Sequence, residues 1–218
     1  MTNGLDGSRG RTKVRRLPEK QIDDRAALHQ ILDAARVAHV AITDADGQPY
    51  VLPVAFGRDG DHVIVHGSTG SRLFRALAAG EPTCFTVTLV DGLVLARSAF
   101  ESSMHYRSAM VFGSCEVVPD DDVLRCLRVL TEHLMPGRWA QLRAPTVKEI
   151  AATMLLRLPL FEWSVKVSDR WPDDPPEDLS EPVWAGVLPI TSAFGTPLPA
   201  PDLTHPIEPP GYVDQWVP

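Results

Sequence analysis

The stretch His62–Gly113 reads HVIVHGSTGSRLFRALAAGEPTCFTVTLVDGLVLARSAFESSMHYRSAMVFG, and the order of its parts decides how the chain folds. An alternating run, HVIVHG, leads into a turn of small polar residues, Ser68, Thr69, Gly70 and Ser71, that ends on Arg72. Leu73, Phe74 and Leu77 then fall at helical spacing, so a short amphipathic helix begins where the turn ends. The runs beyond it, PTCFTVTLV, GLVLARSAF and HYRSAMVFGSCEVV, are β-rich. Hydroxyls, exposed backbone N–H groups and one guanidinium therefore meet at a helix start, the donor set that phosphate takes. His66, Gly67, Ser68, Gly70, Ser71 and Arg72 make a candidate cradle for a phosphorylated cofactor.

Upstream, Asp23 or Asp24 reads as the N-cap of a helix with Leu28, Ile31, Leu32 and Ala35 on one face. VAHVAIT, the Asp-Gly turn in DADGQ, YVLPVAF, a turn at Arg58–Gly60 and HVIVHG then predict three antiparallel strands in a meander. Pro53 inside the second strand marks an edge, a bulge or a place where something other than a strand meets the backbone. Six strands with short links predict a barrel or a strongly coiled antiparallel sheet, in a mainly β protein with flanking helices. Downstream, Asp120–Leu134 is amphipathic, with Val123, Leu127, Leu130 and Leu134 on one face, and a short helix is expected after Pro145. MLLRLPLFEWSVKVSDR returns to strand character, interrupted near Pro159. The organisation expected is a mobile arm over 1–20, one domain over 21–190 and a Pro-rich tail over 191–218 that wraps a surface or stays disordered.

The bulk composition narrows the function. A chain of 218 residues with 44% hydrophobic content supports one domain with a buried core. A formal charge of −7 argues against nucleic acid as a partner. Cys84, Cys115 and Cys126 are an odd set without CxxC spacing, which suits buried thiols in a reducing compartment. No run has the apolar length of a membrane span and no apolar signal core opens the chain, so a cytoplasmic protein is expected. His62 and His66 share a strand face but have no carboxylate or third histidine at ligand spacing, so no metal site is expected.

The ordered series VLPVAF, HGSTGSRLFRAL, LVDGLVLARSAF, MHYRSAMVFG and WSVKVSDRWPDD…PVWAGVLP resembles the pyridoxamine 5′-phosphate oxidase-like superfamily, in particular its branch of nitroimidazole-resistance reductases. The resemblance spans roughly residues 22–190. It implies a split β-barrel, antiparallel and Greek-key-like, that forms a homodimer with FMN at two sites between the subunits. It also implies that the Pro53 and Val54 backbone lies along the isoalloxazine ring, with His66, Ser68, Ser71 and Arg72 on the phosphate side and Gly67 and Leu73 among the cofactor-binding residues. Tyr106, Arg107 and Ser108 would complete the pocket, and Lys166 and Arg170 match a carboxy-terminal segment that reaches a flavin site. The chain departs from the relatives' SAFHHSMNYRS, having Glu101 and Ser102 for the histidines and His105 for the asparagine. The substrate signature of true pyridoxamine phosphate oxidases is not recognisable.

The resemblance implies an FMN-dependent oxidoreductase that moves electrons from a reduced nicotinamide to a small acceptor such as a quinone or nitro compound. The flavin would carry that chemistry, so no side chain is singled out as catalytic. Haem or a deazaflavin in the same fold, and a silent dimeric ligand-binding module, stay open. Blander readings stay open beside the site assignments. Arg72 also suits a solvated helix surface, His66 a half-buried core position, and Tyr106–Ser108 an ordinary strand with one polar face. Trp163, Trp171 and Trp184 suit interface pockets better than chemistry.

Overall fold

In the computed structural model, which describes residues 10–216, the alternating runs become strands of one antiparallel sheet that curls around an apolar core. Its long strands are β2 (Val37–Thr43), β3 (Pro49–Asp59), β4 (His62–Ser68), β5 (Pro82–Leu95), β6 (Ser103–Ser114), β8 (Thr153–Pro159) and β9 (Glu162–Ser168). Short strands β1 (Gln21–Ile22), β7 (Glu116–Val117) and β10 (Gly186–Pro189) complete it. The order is β1-β9-β6-β5-β2-β3-β4-β8-β7, with β10 added to the distal part of β5.

Helix α1 (Arg25–Ala34) starts where expected, because the Asp24 carboxylate accepts from the Ala26 N–H at 2.9 Å. Its buried stripe, Leu28, Ile31 and Leu32, packs into the main core beside Phe56 and Phe85, whose rings meet edge-on at 5.0 Å. Helix α2 (Arg72–Ala78) buries Leu73, Phe74 and Leu77 in the same core. Helix α3 (Val123–Leu134) covers the far side of β4 and β8, with Cys126 and Leu130 against Ile64 and Leu155. Helix α4 (Val147–Ala152) carries a full capping box between Thr146 and Glu149.

One boundary differs from the sequence expectation. The runs predicted as separate strands on either side of Asp91-Gly92 form the single strand β5, and this Asp-Gly pair makes a bulge instead of a turn. The approach of β10 is the reason: a Cβ on Gly92 would stand 3.0 Å from the Leu188 carbonyl oxygen. The segment 153–168 forms two consecutive strands, β8 and β9, that pair with different neighbours, β4 and β6, and the interruption expected near Pro159 falls where β8 ends.

The termini also pack. Of the arm expected to be mobile, residues 1–9 lie outside the described part, but residues 10–20 are docked. The Arg11 Nε donates to the Glu162 carboxylate at 2.7 Å, the Arg11 guanidinium lies over the Phe112 ring and Thr12 is buried. The described part of the tail wraps the surface. Tyr212 donates to the Gln141 side chain, and the Trp216 indole N–H donates to the Pro136 carbonyl, each at 2.9 Å.

Gly67 illustrates how tightly α2 sits on the sheet. A Cβ there would lie 2.3 Å from the Phe74 ring, far inside van der Waals contact. Gly67→Ala is therefore expected to destabilise the protein by about 1–3 kcal/mol, measured by urea unfolding, and Phe74→Leu in the same chain to recover part of that loss.

Candidate binding site in the barrel seam

The site begins with a strand that divides its partners. Over Pro49–Ala55, β3 pairs with β2, whereas over Phe56–Asp59 it pairs with β4. If the β3–β4 register continued, His66, Gly67 and Ser68 would face Ala55, Val54 and Pro53, but no pairing occurs there. Beyond Val65, β4 keeps only β8, with His66, Gly67 and Ser68 opposite Leu155, Met154 and Thr153. Pro53 has no N–H to offer a second neighbour, which favours the parting at this point. The result is an open seam with Pro53 and Val54 on one wall and His66–Ser68 on the other.

The turn after β4 closes one end of the seam. The Ser71 N–H donates to the Ser68 carbonyl at 3.0 Å, the Gly70 N–H to the Ser68 hydroxyl at 3.2 Å, and the Thr69 N–H to the Ala152 carbonyl at 3.2 Å. Ser71 is the N-cap of α2, yet its hydroxyl makes no capping bond. Arg72 is exposed, and among the described residues its guanidinium forms no ion pair. It lies instead over the Tyr50 ring, 3.8 Å from the centroid. His66 lies near the end of β4, and partial desolvation of its ring holds its pKa below the ordinary value.

Two of the expected cofactor-binding residues have other work. Leu73 is only 4% exposed and belongs to the core. Gly67 leaves space for Phe74, as described above.

Tyr106, Arg107, Ser108 and Lys166 form a separate group on β6 and β9. Tyr106, Arg107 and Ser108 face Val90, Leu89 and Thr88 on one side and Ser168, Val167 and Lys166 on the other. The Arg107 fork is filled by Asp91, at 2.8 Å from Nε and 2.7 Å from Nη2, and this pairing raises the Arg107 pKa further. Arg170 is exposed, 4.0 Å from the Glu19 carboxylate, and its carbonyl accepts from the His105 ring at 2.9 Å. Strands β2 and β5 separate this group from the seam, three strand spacings or roughly 14 Å along the sheet. One protomer therefore places the expected site residues in two clusters.

Sequence reasoning missed three contributors. Tyr50 lay in the run YVLPVAF with no role assigned, and Asp91 drew no reading at all. Asp174, in the Pro-rich segment, has a side chain only 1% exposed that accepts from the Arg97 backbone N–H and guanidinium at 2.8 and 2.9 Å. The only signal for that pair was an acidic residue in the segment whose resemblance had been noted.

An antiparallel barrel opened along one seam, with hydroxyls and a guanidinium at the seam's end, defines the split-barrel class. Residues 24–167 match the family model described as "Pyridoxamine 5'-phosphate oxidase", and the chain belongs to that family. It is 47% identical to the FAD and heme binding protein from Mycobacterium smegmatis, with a TM-score of 0.87 over 91% of this chain and 97% of that one. It is 39% identical to the flavocytochrome Anf3 from Azotobacter vinelandii, with a TM-score of 0.88 over 95% and 96% of the two chains. The fold is also similar to that of a candidate 5-nitroimidazole antibiotic resistance protein from Bacteroides thetaiotaomicron, at 24% identity and a TM-score of 0.58 over 67% and 86%. No curated protein matches the chain by sequence.

Two partly desolvated histidine rings set a pH dependence. Burial lowers the pKa of both His66 and His133; for His133 the hydrogen bond to the Ala35 carbonyl opposes this. The unfolded chain then binds more protons than the folded one below the ordinary histidine value of about 6.5. Stability is accordingly expected to be full above that pH and to fall as pH drops through the lowered values. Thermal melts between about pH 7.5 and 5 should show the decline, and His66→Asn should flatten it.

Proposed function

We propose that this protein is a flavin-dependent redox protein whose flavin nucleotide lies along the seam, with the phosphate on Ser68, Ser71 and Arg72. The observation that carries the flavin is the unpaired Arg72 guanidinium beside the uncommitted Ser71 hydroxyl at the end of an open strand edge. That donor set fits a phosphate, and the free edge of β3 at Pro53 and Val54 fits a flat ring laid against backbone. The likeness to the two proteins described as binding FAD and heme and as a flavocytochrome supports the dinucleotide FAD and a haem as second redox group, where the sequence resemblance suggested FMN alone.

Bound flavin supplies hydride and electron transfer, here from a reduced nicotinamide to a small acceptor such as a quinone or nitro compound. The chain's own part is to bind and orient. The β3 backbone holds the ring, Arg72 and the seam hydroxyls hold the phosphate, and His66 borders the cradle. In this reading the protein works as a homodimer, because a second copy can bring its Tyr106–Ser108 and Lys166 cluster to the seam. Exposed Val90, Leu93, Leu95 and Met104 on β5 and β6 support such contact. Three free thiols and a charge of −7 suit a cytoplasmic protein without a nucleic-acid partner, and no described helix is long and apolar enough to cross a membrane.

The absorption spectrum of the purified protein tests the reading: flavin bands together with a sharp Soret band are expected. A single deazaflavin-like band, or a colourless protein that takes up neither group, would overturn it. Arg72→Ala should weaken flavin nucleotide binding by about 1.5–3 kcal/mol in a fluorescence titration, and unchanged affinity would remove the phosphate assignment. Sedimentation should give a dimer, and a monomer with full flavin occupancy would dismiss the shared site.

A further inference from the structure

We infer that Tyr50 is a positioning residue for Arg72, presenting its guanidinium to the flavin phosphate while leaving the N–H fork open; this rests on the flavin reading above. Arg72 projects from the first turn of α2 and is exposed, so in isolation it would sample many rotamers and lose that freedom on binding an anion. Tyr50, half-buried against the core on β3 and opposite Ile42 on β2, supplies a fixed ring face at 3.8 Å.

The choice of an aromatic partner matters chemically. A guanidinium has five donors in its plane and none on its faces. A carboxylate partner would occupy the in-plane donors, as Asp91 does for Arg107 at 2.8 and 2.7 Å. A ring beneath the plane holds the group through its face and leaves the donors for phosphate. Of the three arginines expected at the site, Arg107 and Arg170 face the carboxylates of Asp91 and Glu19, and Arg72 is thus the one equipped to bind an anion.

Asp44 adds a charge to this neighbourhood from the β2–β3 turn. Its carboxylate accepts from the Gln48 and Asp46 N–H groups at 2.8 and 3.0 Å. The Gln48 bond is the main cause that lowers its pKa, with the Tyr50 hydroxyl and the Arg72 charge acting in the same direction. The turn so places a negative charge near Tyr50 and Arg72 that favours the guanidinium without occupying its donors.

The test compares FMN with riboflavin, which lacks the phosphate, in fluorescence titrations of flavin-depleted full-length protein. Tyr50→Leu is expected to weaken FMN binding about five-fold and leave riboflavin binding unchanged, while Tyr50→Phe, which keeps the ring, stays close to the parent. In an Arg72→Ala background Tyr50→Leu should cost nothing further. Asp44→Asn is the second variant, expected to give a smaller loss with the same selectivity for FMN. If Arg72→Ala weakens FMN binding and Tyr50→Leu does not, the positioning role is overturned. Equal losses for FMN and riboflavin would overturn it as well, since they mark general packing. If Arg72→Ala itself has no effect, the phosphate reading beneath it fails instead.

Discussion

Strand β3 has two edges and three claims on them. It satisfies β2 along Pro49–Ala55 and β4 along Phe56–Asp59, and the change of partner leaves a length of backbone edge unpaired. Sheets normally close or cover such edges, because unsatisfied N–H and C=O groups invite another chain or ligand. Here Pro53 removes one donor from the edge, and β4 turns away to β8. The seam, the placement of the polar turn at its end and the exposure of Arg72 all follow from that one division of pairing.

Packing holds the seam's far wall in position. Gly67 lets the Phe74 ring sit directly on β4, and Gly57 lets α3 approach β3, where a Cβ would lie 3.2 Å from the Leu130 Cα. With helices pressed on the sheet at these points, the turn that carries Ser68, Ser71 and Arg72 hangs from rigid elements. Its backbone is further tied to the end of α4 through Thr69 and Ala152. A turn held this way keeps its groups in place without help from a ligand.

Charge is distributed with the same economy. Arg107, Arg97 and Arg11 are each matched by a carboxylate, and these pairs tie strands, loop and terminal segment together. Arg72 is held by a ring face instead, so its charge remains available at the seam. The contrast separates arginines that brace the fold from one that can meet an anion, although in the sequence they are equivalent letters.

Much of this was legible in the linear chain. Alternation placed β2, β3 and β4, the Asp24 cap and its apolar stripe placed α1, and the small polar run ending on Arg72 marked the turn into α2, because local propensity and periodicity act over a few residues. The merging of 82–95 into one bulged strand was not legible, since an Asp-Gly pair serves a turn or a bulge and only the arrival of β10 decides which. Nor were the parting of β3 from β4, the filling of the Arg107 fork by Asp91 or the seating of Arg72 on Tyr50. Those depend on which distant strands lie side by side, so residue types and short-range spacing determine the elements and the candidate chemistry, while long-range pairing and burial decide which of those groups are left free to use it.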